Sequence, residues 1–216
     1  MTTTSPSELA APGDRPRSRA GRVLMAAGGG LLLGVLTNLA QGWLPGAWNQ
    51  IANSGAAWSA VAFAAGALLY RSDRVVQAAI RGQAAEAGLV VGYYGYAEIG
   101  RDGVGNLLFP LIWLGLACVA GPLFGVAGQW WRGDHDERRR VAGLAAFAGL
   151  FGMEGLLYAW KLHYAPQAWT CIALFILVPL LLARSIKERV LTLGAAVPCA
   201  LLAYALIELP LQAVSS

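Results

Sequence analysis

The side chains able to do chemistry are few, and most fall within long apolar stretches. Glu154 is the only acid in AFAGLFGMEGLLYAWKL, residues 146–162. Around it Phe147, Phe151, Glu154, Tyr158 and Lys161 recur at i, i+4, i+7, i+11 and i+14, which is one face of a helix. Counting from Val141, Glu154 lies slightly past the middle of that stretch and Lys161 near its outer end. Glu86 interrupts a second stretch, and Glu208 follows Tyr204 by one helical turn in a third. A charge in hydrocarbon costs about 2.5–3.5 kcal/mol on insertion scales, so each of these residues needs a reason to be there. Glu86 is too deep to reach the headgroups and must be neutral, paired or facing a cavity. Arg81, roughly 9 Å from the inner end at 1.5 Å per residue, is expected to snorkel.

A carboxylic acid held out of water beside aromatic faces suits one chemistry in particular. Protonation-initiated cyclisation of an isoprenoid needs a proton donor, then π faces that hold carbocations by cation–π attraction. On that reading Glu154 or Glu86 is the acid, and Tyr158 relays a hydrogen bond. Phe147, Phe151, Tyr158, Trp113, Tyr93 and Tyr204 are the walls. Depth places further polar residues in the same outer layer: Glu208, Lys161, Asn38 and Gln41, with Glu98, Arg101, Asp102 and His163 in the outer loops or at outer span ends. Together they predict a polar, aromatic-rimmed cavity in the outer half. Lys161 stands two turns from Glu154, about 10 Å along the axis, too far for a tight pair without side-chain extension.

Other chemistries find no support. There is no P-loop, no G-x-S-x-G and no H-E-x-x-H. Two histidines and three separated cysteines, Cys118, Cys171 and Cys199, support neither a metal centre nor a disulfide framework, and the cysteines read as small buried apolar residues. Neither a metal nor another cofactor is expected. The acids of Asp134-His135-Asp136-Glu137 run into Arg138-Arg139-Arg140 and read as a solvated turn.

The composition says what must position these groups. Of 216 residues, 57% are hydrophobic and only 13% charged, with mean hydropathy +0.54. A soluble domain carries roughly 25% charge, so a water-soluble globule is excluded, and a disordered chain more firmly. Seven segments are candidates to cross a bilayer: about 22–44, 56–70, 75–97, 105–131, 141–162, 167–183 and 190–212, of which the third is the most polar. The fold class is all-α, a single bundle of about seven transmembrane helices in the cell membrane. Residues 1–21 read as a disordered basic tail, and the run from Val23 to Leu44 is too long for the apolar part of a signal peptide. With the N-terminus inside and the C-terminus outside, 13 of the 16 basic residues fall inside, as the positive-inside bias requires. The net charge of +4 therefore belongs to the membrane surface, and nucleic acid is not an expected partner.

Gly30-x-x-x-Gly34 and Gly121-x-x-x-Gly125 provide ridges for close helix packing, and Pro110, Pro122, Pro179, Pro198 and Pro210 predict kinks. Between Leu44 and Gly55 the chain has no charge, so the loop is expected to fold onto the bundle as a lid. Trp43 and Trp48 would anchor it, with Asn49 and Asn53 turned to the cavity.

The stretch LTNLAQGWLPGAWNQIANSGAAW, Leu36 to Trp58, resembles a family of multi-pass membrane proteins from actinobacteria. That resemblance implies a multi-helix membrane fold over roughly 22–210 and assigns no activity. In size and character alone the chain is similar to small bacterial integral-membrane terpene cyclases, which are also seven-span proteins. Three functions are compatible with these residues. One is a metal-independent cyclase or isomerase acting on a lipophilic isoprenoid. Another is a small-molecule binder or transport subunit with a membrane partner, resembling vitamin-uptake substrate-binding components, which usually have six spans. The third is an assembly protein without a ligand.

Overall fold

The computed structural model describes residues 19–69, 74–101, 103, 105–133 and 136–208, apart from the side chains of Ala47, Ile207 and Glu208. Helices and their connecting turns make up all of it, with no strand among the described residues. The long elements are α1 (Arg19–Trp43), α3 (Gly55–Leu68), α4 (Val75–Gly100), α5 (Leu108–Arg132), α6 (Glu137–Leu156), α7 (Ala165–Leu182) and α8 (Ile186–Ala203). A 3₁₀ turn, Gly46–Trp48, and the short α2 (Asn49–Ala52) fill the loop after α1. The α6 and α8 helices continue into π-turns, Leu157–Lys161 and Tyr204–Glu208.

Six of these segments are long and apolar enough to cross a membrane: Arg19–Trp43, Asn49–Leu68, Leu108–Arg132, Glu137–Lys161, Ala165–Leu182 and Ile186–Leu206. The most polar expected span, α4, is not among the six although it is 26 residues long. Arg81, Glu86 and Glu98 lower its hydropathy, but its neighbours cover two of them: Arg81 and Glu86 are buried as α4 packs against α1, α3 and α5. The outside of the bundle carries many exposed large apolar side chains, including Leu24, Leu32, Val119, Leu181 and Leu202. Six apolar helices with that exterior are consistent with a multi-pass membrane protein.

Glycine lets the helices meet backbone to backbone. Gly30 and Gly34 of α1 lie so close to α4 that a Cβ on either would overlap the carbonyl oxygens of Ala85 and Leu89. Gly66, Gly82 and Gly125 bring α3, α4 and α5 to one crossing, where a Cβ on Gly66 would overlap the Gly125 carbonyl. Such approach gains van der Waals contact where no hydrophobic drive exists between helices in lipid. Helices α5, α7 and α8 run on through Pro122, Pro179 and Pro198, and Pro110 sits in the first turn of α5. Pro210, the tail 1–18, Arg71, Asp102, Asp134 and His135 lie outside the described residues.

At the end of the bundle carrying the α5–α6 and α7–α8 turns, polar groups satisfy one another. Asp136 caps α6 by accepting from the Arg139 N–H at 2.9 Å, and Ser185 caps α8 by accepting from the Glu188 N–H at 3.1 Å. Buried Glu188 accepts from Arg140 Nε at 3.1 Å and from the Arg184 N–H at 3.0 Å. Lys187 pairs with Glu137 at 3.1 Å, and Trp131 donates its indole N–H to the Leu182 carbonyl.

Candidate functional site

Helix α3 explains two of the costly residues. At 14 residues it is about 21 Å long, shorter than the roughly 30 Å of a bilayer core. Its ends must therefore be satisfied within the protein. At the N-terminus the Ser54 hydroxyl caps Ala57 N–H at 3.0 Å, and Glu154 Oε1 accepts from the Ala56 N–H at 2.9 Å. The Ser54 hydroxyl and Gly55 N–H also bond to this carboxyl. Cys171 Sγ lies 3.9 Å from the other oxygen. At the C-terminus Arg81, only 1% exposed, donates through Nη1 to the Leu69 carbonyl at 2.6 Å. An acid thus meets the positive end of the α3 dipole and a cation meets its negative end. Arg81 does not snorkel, because a nearer acceptor lies inside the protein.

Glu86 has a different setting. Buried Ser59 donates to its Oε1 at 3.4 Å, while Oε2 has no hydrogen-bond partner among the described residues.

The expected aromatic walls pack as core. The Phe147 ring stacks on Phe63 with centroids 4.3 Å apart and meets Phe151 edge-on at 5.3 Å. Tyr204 packs against the same cluster. The side chain of Glu208 lies outside the described residues. Tyr93 stands elsewhere, beside Trp58 at 5.1 Å, and its hydroxyl donates to Gln41. Asn38, buried on α1, donates to the Tyr93 carbonyl at 3.0 Å, and its own backbone carbonyl accepts from Arg101 at 2.6 Å. So the polar residues expected in one layer form two groups. One joins α1 to α4, and the other gathers Ser54, Glu154, Tyr158 and Cys171 around the start of α3.

Lys161 departs from the expected face. Its π-turn is wider than an α-turn and rotates the helix end, leaving Tyr158 buried and Lys161 exposed. Of the cysteines, Cys171 is buried as expected, Cys199 half-buried and Cys118 exposed.

Beyond this cluster a groove opens between two loops. Gly46, Asn49 and Gln50 form one side, and His163, Tyr164, Ala165, Pro166 and Gln167 the other, around a volume of about 500 Å³. His163 turns the chain with φ 54°, a left-handed conformation uncommon outside glycine and found preferentially at functional sites. Gln167 is 2% exposed, and its Oε1 has no hydrogen-bond partner among the described residues; Asn49 Oδ1 has none there either. One turn along α7 from Gln167 is Cys171, against Glu154, and Tyr164 stacks on Tyr158 with centroids 6.4 Å apart. Glu154, Glu86 and Tyr158 do not line this groove.

The loop after α1 is folded where it meets the groove, and the Trp58 indole N–H holds it by donating to the Ala52 carbonyl at 3.1 Å. Trp43 and Trp48 are exposed, and Asn53 closes α2 with its N–H on the Gln50 carbonyl, its Oδ1 unpartnered among the described residues. A family model matches residues 13–213. The chain belongs to DUF6518, a family of unknown function. No curated protein and no solved structure matches it.

Sequence reasoning passed over Gln167, whose signal was available: an amide directly after Pro166, at the head of an otherwise apolar helix. It also passed over Ser54 and Ser59, which carry no signal until α3 is placed.

Proposed function

We propose that this chain is a seven-span cell-membrane protein that holds a small polar molecule in the groove at its outer end, as a binding or transport component. The observation that carries this is Gln167. A buried amide oxygen left without a donor costs about 1–3 kcal/mol, and a ligand entering the groove would supply the donor. The volume lies within the roughly 300–1,000 Å³ of small-molecule sites. Glu154, by contrast, is engaged by α3 and does not line the groove, which favours binding over acid-initiated cyclisation.

Replacing Gln167 by leucine keeps the volume and removes the amide. The protein should remain folded, and mass spectrometry of small molecules extracted from purified wild type should show a component missing from Gln167→Leu. Identical extracts would remove the groove as the binding site.

The seventh span is α4. Its 26 residues reach about 39 Å, and Arg81 and Glu86 are covered by protein instead of lipid. Counting α4 keeps the basic clusters at Arg132–Arg140 and Arg184–Arg189 on the same side as the N-terminal arginines and Arg74, inside. Cysteines introduced at Asn53 and Asp102 should react with an impermeant thiol reagent on intact cells, and one at Asp134 should not. Reaction at Asp134 would overturn the orientation.

A further inference from the structure

Resting on the groove as the binding site, we infer that its ligand is a neutral polyhydroxyl group, a saccharide or polyol, free or as a glycolipid headgroup. The lining contains Asn49, Gln50, His163, Tyr164 and Gln167 but no Asp, Glu, Lys or Arg among the described residues. An ionic ligand would find no carboxylate, ammonium or guanidinium opposite it there. The first turn of α7 adds little for an anion, since Pro166 has no N–H to give. Among the described residues Asn49 Oδ1 and Gln167 Oε1 have no donor, and both are acceptors on residues that line the groove, one from each loop. They call for a ligand that donates from two edges. Each amide also carries an NH₂, and neighbouring hydroxyls, each both donor and acceptor, match that oxygen–nitrogen pair. Tyr164, backed by the Tyr158 ring at an interplanar angle of 28°, adds a flat wall for the C–H face of a sugar ring. Amide edges around an aromatic wall suit hydroxyls on a rigid ring better than a phosphate, a carboxylate or an ammonium.

The test uses the full chain in phosphatidylcholine nanodiscs prepared without glycoside detergents. Saturation-transfer NMR would be recorded with glucose, galactose, mannose and myo-inositol, with phosphate and ethanolamine alongside. A parallel arm places monoglucosyl diacylglycerol in the nanodisc and reads its sugar protons for contact with the protein. At least one neutral polyol should show transfer, weakened about tenfold or more in Asn49→Leu and in Gln167→Leu. Transfer to free sugars supports a soluble ligand, and transfer only to the glycolipid supports a headgroup. Transfer to phosphate or ethanolamine alone would overturn the polyol assignment and leave the groove as a binding site. Absence of transfer from every probe would overturn the polyol assignment. If wild-type and Gln167→Leu extracts were also identical, the groove would fall with it.

Discussion

Replacing Glu154 by leucine should cost the protein most of its stability. The substitution leaves the Ala56 and Gly55 N–H groups and the Ser54 hydroxyl without their acceptor at a buried helix end. Each orphaned donor costs about 1–3 kcal/mol, and the sum approaches the roughly 5–15 kcal/mol that hold a typical domain together. Glu154→Gln is the milder companion. Its amide oxygen still accepts from Ala56, but the NH₂ that replaces the second oxygen cannot accept, which leaves one acceptor fewer for the Gly55 N–H and the Ser54 hydroxyl. The expected order in unfolding titrations with sodium dodecyl sulfate is wild type, then Gln, then Leu. Equal stability of all three would show that the start of α3 does not depend on Glu154.

The second large effect is expected at Gly125, where α3, α4 and α5 cross. A Cβ there would meet the Ala78 carbonyl and the Gly82 backbone, and no backbone can yield as a side chain tip does. Gly125→Val should push the helices apart and abolish the monodisperse folded protein on size-exclusion chromatography. Gly28→Ala, on the same kind of apolar helix but with open space around it, should be silent. A well-folded Gly125→Val protein would contradict the close crossing.

These two residues show what could be read from the sequence. Apolar length identified the helices, because covering 30 Å of hydrocarbon leaves a long composition signal. The Gly-x-x-x-Gly ridges were equally legible, and Gly30 and Gly34 do meet another helix at close range. Helix α4 was the weakest of the apolar segments, because Arg81 and Glu86, which its neighbours cover in the bundle, interrupt it. Glu154 stood out because burying an acid is costly, but its partner did not. Backbone N–H groups 98 residues earlier carry no residue type, and periodicity offered only Lys161, two turns away and too far for a tight pair. The π-turn after Leu156 then broke the face that periodicity assumed. Depth arithmetic also merged residues that share a level without sharing neighbours, as Asn38 on α1 and Glu154 on α6 show. The groove depends on a left-handed His163 and on two loops meeting, which spacing along one chain does not encode.

We propose a division of labour, with Glu154 holding α3 and the groove at Gln167 holding the ligand. One crossed comparison tests it: unfolding midpoint and extracted small molecules, measured side by side for wild type, Glu154→Gln and Gln167→Leu. Glu154→Gln should be less stable yet retain the bound component, while Gln167→Leu should be at least as stable as wild type and lack it. Loss of the component in Glu154→Gln at unchanged stability, with the component kept in Gln167→Leu, would contradict the account and return the chemistry to Glu154.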